Sequence, residues 1–166
     1  MIEMKKKIHG AETELVRAGI EQRGIWLYEF LKQAKEQGID HEKFGRSVIF
    51  NCGCIKGEMK FSKTESLLEF TKEYMPEAGQ KAFDVEIIES SEDALIVEST
   101  YCPLVDVWQK LTDDEEFIKE LCDIAMDGDR GILSLYPEFK FELVKSLPSG
   151  DGMCRVEIYN VGGEND

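Results

Sequence analysis

Three of the five cysteines fall in the second half of the chain, each beside a feature that could put a thiol to work. Cys102 directly precedes Pro103. If Pro103 is the first residue of a helix, Cys102 is its cap, where free backbone N–H groups and the helix dipole favour a thiolate over a thiol. A nucleophile would follow; the competing reading is a small apolar residue buried at a strand end. Cys122 shares an apolar stripe with Phe117, Ile118, Leu121 and Ala125, and Cys154 alternates in phase with Val156 and Ile158, so both are expected to face inward. If the three converge, a tetrahedral metal site would still need a fourth ligand, for which Asp123, Asp127 and Asp151 are neighbours in sequence only. The histidines, His9 and His41, lie in the N-terminal part, so a Cys–His dyad requires one of them to fold back.

Other patterns explain themselves without chemistry. Cys52 and Cys54 form a Cys-x-Cys pair with no second pair or histidine to complete a metal site, which favours packing at a helix interface. Asp127-Gly128-Asp129-Arg130-Gly131 superficially suggests a calcium loop, but the sixth position, where glycine makes the turn, is Ile132. Gly150-Asp151-Gly152 is a good hairpin turn on its own merits. There is no phosphate loop, dinucleotide fingerprint, nucleophile elbow or paired-histidine metal motif. Trp26, Trp108 and the phenylalanines are expected mostly in the core, some lining a ligand cavity.

These residues must be held by one domain of ordinary size: 166 residues, 42% hydrophobic and 33% charged. A formal charge of -14 argues against a nucleic-acid surface, which would need lysine and arginine to neutralise phosphates. The longest apolar run, around Ala94 to Val97, is too short for a membrane span, and the basic start Lys5-Lys6-Lys7 has no apolar stretch after it to read as a secretory signal. The chain therefore reads as cytoplasmic, with reduced thiols.

Helical periodicity runs from Ala11 to Gln37 with Leu15, Ala18, Ile25, Trp26, Phe30, Leu31 and Ala34 as its apolar face, stopped by Gly38. Asp40 can cap a second helix, whose end is obscured by the glycines at 53 and 57, and a third spans Thr64 to Met75 before Pro76. The period then becomes two: Phe83, Val85 and Ile87, a turn at Ser90 to Asp93, and a strand from Ala94 to Tyr101. A helix opens at Pro103 with Leu104, Val107, Trp108 and Leu111 inward, and another opens at a capping box over Thr112 to Glu115 and ends loosely near Gly128 or Gly131. A second hairpin pairs Phe139, Phe141 and Leu143 with Cys154, Val156 and Ile158 across a turn at Pro148 to Gly152. The expected fold is α+β: an antiparallel sheet of about four strands from two hairpins, packed against N-terminal and central helices, as one domain over residues 1–161 with a frayed tail over 162–166.

Cys102-Pro103 before a tryptophan-bearing helix, then Leu121-Cys122, then Leu147-Pro148-Ser149-Gly150-Asp151-Gly152-Met153-Cys154-Arg155-Val156-Glu157-Ile158, resembles the L-2-amino-thiazoline-4-carboxylic acid hydrolase family. The similarity covers roughly Phe83 to Ile158. It implies a hydrolase that opens a cyclic thiazoline amidine to a carbamoyl-cysteine, with manganese as the metal and with Cys102, Cys122 and Cys154 in the site, joined by Asp127 and Asp151. A thiolate at Cys102 or a metal-activated water could then supply the nucleophile. A helix cysteine followed by a hairpin ending G-D-x-x-C also resembles vinyl-reductase-type ligand-binding domains. Those hold zinc through further strand ligands, at positions where this chain has Leu143 and Ser146. That likeness implies a non-catalytic small-molecule-binding module, with a small-molecule partner and a homodimer left open.

Overall fold

The computed structural model describes residues 1–162, so the tail expected to fray lies, Gly162 apart, outside the described residues. Helix α1 (Ala11–Glu36) and helix α2 (His41–Lys60) are followed by the short helices α3 (Leu67–Tyr74) and α4 (Glu77–Phe83). Strands β1 (Val85–Ser90) and β2 (Ala94–Ser99) precede helices α5 (Pro103–Leu111), α6 (Glu115–Ala125) and α7 (Asp127–Leu133). Strands β3 (Phe139–Lys145) and β4 (Cys154–Asn160) close the chain, with a 3-10 turn at Leu147–Ser149 between them. The strands form one antiparallel sheet in the order β1-β2-β4-β3. The α+β architecture expected from the two hairpins is the observed one.

The caps explain most element starts. Asp40 accepts from the Lys43 N–H at 3.1 Å, and Ser66 accepts from Glu69 at 3.2 Å, which shortens the third helix at its N-terminal end relative to the sequence reading. The box expected at Thr112 to Glu115 is a different device: Asp114 is the cap, accepting from Phe117 at 3.0 Å, while the Thr112 hydroxyl accepts from the Asp114 N–H at 3.1 Å. Phe83 is the last residue of α4 rather than the first of a strand, because Pro76 restarts a helix after ending one. Asp84 then reverses the chain in the left-handed region, φ 51°.

The apolar face of α1 also differs from expectation. Ile20, Tyr28, Leu31 and Ala34 are buried, together with Arg17 and Gly24, while Leu15, Trp26 and Phe30 face solvent. Gly24 gives α5 room to approach, since a Cβ there would sit 2.8 Å from a Val107 methyl and 3.1 Å from a Leu104 methyl, and the Trp108 indole N–H donates to the Gly24 carbonyl at 2.9 Å. Buried Arg17 is satisfied by the Ala82, Ile8 and Lys81 carbonyls, by Glu14, and by Asp84 at 3.0 Å; Asp84 in turn accepts from the Lys7 and Ile8 N–H groups. That complete set of partners is what makes a buried guanidinium tolerable, and it straps the N-terminal segment to the body.

Two apolar clusters result. One gathers Leu31, Val105, Trp108, Ile118, Leu121 and Leu147 between α1, α5 and α6, and the other gathers Leu67, Phe70, Leu95, Phe139 and Ile158 between α3 and the inner face of the sheet. The opposite face of the sheet is polar, with Arg155 bonded to Glu98 and Glu157.

Helix α2 does not stop at its glycines. It runs through them to Lys60 because α7 lies against it there: a Cβ on Gly53 would sit 2.1 Å from the Gly128 carbonyl oxygen, and one on Gly131 would sit 2.2 Å from that of Phe50. Glycine is required for this approach of two backbones. Cys54 joins the contact, its thiol bonding to the Gly131 carbonyl at 3.5 Å, whereas Cys52 points to solvent.

Candidate functional site

The three cysteines of the second half do converge. Cys102 lies in the first apolar cluster, and Cys122 and Cys154 pack against that cluster. Each is delivered by a different element, and the local sequence decides how. Pro103 begins α5 and leaves Cys102 as its cap residue, in extended conformation. The apolar stripe of α6 carries Cys122 beside buried Leu121, and the alternation of β4 puts Cys154 on the inner face with Val156 and Ile158. The Leu147 N–H donates to the Cys154 sulfur at 3.4 Å.

Their ionisation runs against the expectation of a reactive cap cysteine. Burial, reinforced by the nearby Cys154, pushes the Cys102 thiol up to about 12, although the Val105 and Leu104 N–H groups at the start of α5 pull it down. Burial also raises Cys122 well above its ordinary value and raises Cys154. The helix-terminal amides are where the sequence puts them, but desolvation outweighs them. At neutral pH these are thiols, with the character of apolar packing groups.

The acidic candidates separate. Asp127 is buried at the start of α7, does not line the cleft that Cys122 reaches, and accepts from Arg46 at 3.1 Å and Arg130 at 2.7 Å. Asp123, one turn earlier, accepts from the same two arginines at 2.6 and 2.8 Å. The four side chains close a ring in which both oxygens of each carboxylate are taken. Burial alone would raise Asp123, but the hydrogen bonds from Arg130 and Arg46 prevail and hold it below its ordinary value. Asp129, the other acid of the supposed calcium loop, accepts from the Tyr74 hydroxyl at 2.9 Å.

Asp151 is placed differently. It is exposed in the turn before β4, its Oδ2 accepts from the Ser146 N–H at 2.9 Å, and its Oδ1 accepts no hydrogen bond among the described residues. Beside it is a cleft of about 200 Å³ between α6 and the β3–β4 turn, lined by Lys119, Cys122, Asp123, Ser146, Ser149 and Asp151 together with Leu143, Val144 and Lys145. Cys122 is thus the cysteine that reaches the cleft, with Cys102 and Cys154 in the packing behind it. Lys119 and Lys145 are exposed and make no ion pair among the described residues. Neither lysine, nor either serine, nor Arg46 and Arg130, carries a local motif. Only the spacing of Asp123, Asp127 and Arg130 on one helical face was a readable signal for the ring.

These residues do not fit manganese. That ion prefers hard oxygen donors, whereas the convergent groups are neutral thiols and the carboxylates of Asp123 and Asp127 are saturated by arginine. Among the described residues, no three His, Cys, Asp or Glu side chains are grouped so as to hold a metal ion.

A fold of two hairpins around central helices, with three converging cysteines and the Leu147 to Ile158 turn and strand, defines the class of protein. The family model for L-2-amino-thiazoline-4-carboxylic acid hydrolase matches residues 3–158, and the chain belongs to that family. The match extends well beyond the region from Phe83 that carries the motifs and takes in α1 and α2. The curated proteins contain no match to this chain. No described helix is long and apolar enough to cross a membrane.

Proposed function

We propose that the chain is a hydrolase that opens a small cyclic amidine bearing a carboxylate, of the L-2-amino-thiazoline-4-carboxylate type, in the cleft between α6 and the β3–β4 turn. The observation that carries this reading is the cleft's pairing of charges around one unshared acid oxygen. Lys119 and Lys145 suit a substrate carboxylate, and Asp151 suits a protonated amidine or the water that attacks it. The Ser146 N–H fixes one Asp151 oxygen and leaves the other to accept a proton from water. Water adds to the carbon between the ring nitrogen and sulfur. Collapse of the adduct breaks the C–S bond, the sulfur leaves with a proton, and a carbamoyl group remains on nitrogen. Cys122, as a neutral thiol, shapes the wall rather than attacking. Neither thiolate nor metal enters these steps.

Incubation of the folded protein with L-2-amino-thiazoline-4-carboxylate, with and without manganese, tests the reading by chromatographic detection of carbamoyl-cysteine. Product is expected in both, and its absence in both would sink that substrate. A second reading, a binding module without catalysis, draws on the neutral state of all three thiols. Heat released on titration of the same compound, with no product formed, would favour it.

A further inference from the structure

The β3–β4 turn carries two hydroxyls whose hydrogen bonding runs in one direction. Ser146 is buried, and among the described residues its hydroxyl meets a single partner, the Ser149 oxygen at 2.8 Å. A hydroxyl has one proton to give, and a buried one with a single partner is satisfied by donating to it. Ser149 therefore accepts from Ser146 and keeps its own proton free. It is exposed, it lines the cleft, and its hydroxyl donates to no acceptor among the described residues. The cleft wall thus offers one O–H to whatever occupies it.

The same buried serine aligns the acid, because its N–H holds Asp151 Oδ2 at 2.9 Å while its hydroxyl holds Ser149. The turn around them is stiff. Leu147, 1% exposed, anchors it in the first apolar cluster, the Gly150 N–H closes it on the Leu147 carbonyl at 3.1 Å, and Gly150 and Gly152 supply left-handed φ values of 84° and 73°. Groups fixed in this way before substrate arrives need no reorganisation when charge develops.

We infer that Ser149 is a catalytic hydrogen-bond donor to the leaving sulfur, with Ser146 as its positioning residue, in the ring-opening reaction proposed above, on which this assignment rests. The nitrogens of an amidinium are donors, so the acceptor on the attacked carbon of the substrate is the ring sulfur. Asp151 takes one proton from the water as the oxygen bonds to carbon. As the C–S bond breaks, its electron pair moves to sulfur, the Ser149 O–H bonds to that charge, and Asp151 returns its proton there. The water's second proton goes to solvent as the carbonyl forms, replacing the one that made the amidine a cation.

Steady-state kinetics of the full chain and its variants on L-2-amino-thiazoline-4-carboxylate test this, with melting curves recorded beside them. Ser149→Ala is expected to lower kcat about tenfold and to leave KM within about twofold, because the bond is strongest when the sulfur is charged. Ser149→Thr, which keeps the hydroxyl, is expected to stay within about threefold of the parent. Ser146→Ala is expected to lower kcat about threefold in the parent and not at all in the Ser149→Ala background, a coupling that lost packing would not produce. Full kcat in Ser149→Ala, a rise in KM alone, or equal losses from Ser146→Ala in both backgrounds would overturn the inference and leave ring opening standing. A folded parent chain that yields no carbamoyl-cysteine would instead remove the reaction, and the role of Ser149 with it.

Discussion

The seam between α2 and α7 and the thiol-bearing core between α5, α6 and β4 meet along α6, and they are held by opposite means. In the seam the backbones of the two helices touch at Gly53, Gly128 and Gly131, and a ring of two arginines and two aspartates closes its end. In the core the contact is made by volume: Trp108, Ile118 and Leu121 fill the space and the cysteines pack among them as small apolar groups. The first region is intolerant of one added carbon but rich in charge. The second is uncharged, and its thiols stay protonated because the backbone amides that reach Cys102 and Cys154 do not offset their burial. Residues of a reactive type became inert in both, through saturation in one and desolvation in the other. Of Asp123, Asp127 and Asp151, it is Asp151 that keeps an unshared oxygen among the described residues, and it lies at the cleft outside both.

The largest effect should come from the seam. Gly53→Ala brings a carbon to 2.1 Å of a backbone oxygen, and since neither helix can yield locally the cost is expected to be about 3 kcal/mol or more by chemical denaturation. Gly19→Ala, with open space around the site, is expected to stabilise by about 0.5–1 kcal/mol and serves as the control. Next is the ring: Asp127→Asn leaves two guanidiniums facing a depleted partner and is expected to cost about 2 kcal/mol. Asp123, held below its ordinary value, contributes stability that is present above the unfolded carboxylate range and is lost as pH falls through the folded value. Asp123→Asn should therefore flatten the acid limb of a stability profile below about pH 4.

The core should show the reverse pH limb and a smaller effect at neutral pH. Cys102 has its folded value raised, so its contribution is complete below the unfolded thiol range and is lost as pH rises from about 8.5 toward the folded value of about 12. Cys102→Ala should make the alkaline limb shallower, leaving the shares of Cys122 and Cys154, which burial also raises. An alkaline limb that persists unchanged in the variant would show that Cys102 ionises freely.

Much of the fold was legible because its signals are local. Alternation gave both hairpins, and Asp40 and Pro103 marked helix starts where the structure has them. The glycines of α2 were misleading for the same reason: a local reading takes Gly53 and Gly57 as breakers, and only the distant Gly128 and Gly131 reveal why α2 needs them. Trp26 and Phe30 fit an apolar periodicity that the structure turns outward, since Arg17 and Gly24, not they, meet the rest of the molecule. At the candidate site, the stripe of α6 and the alternation of β4 turn Cys122 and Cys154 inward, whereas their meeting with Cys102 stays open in the sequence, since it depends on how three distant elements pack. Their ionisation was not legible, because desolvation comes from elements remote in sequence. The pairing of Asp127 with Arg46 is likewise long-range.

The most direct measurement is turnover of L-2-amino-thiazoline-4-carboxylate by the parent chain, Asp151→Asn and Cys102→Ala, each verified as folded. The cleft-centred account predicts carbamoyl-cysteine from the parent, a loss of about 100-fold or more in kcat for Asp151→Asn, and retention within about threefold for Cys102→Ala. Full activity in Asp151→Asn with loss in Cys102→Ala would contradict it and return the chemistry to the buried thiol.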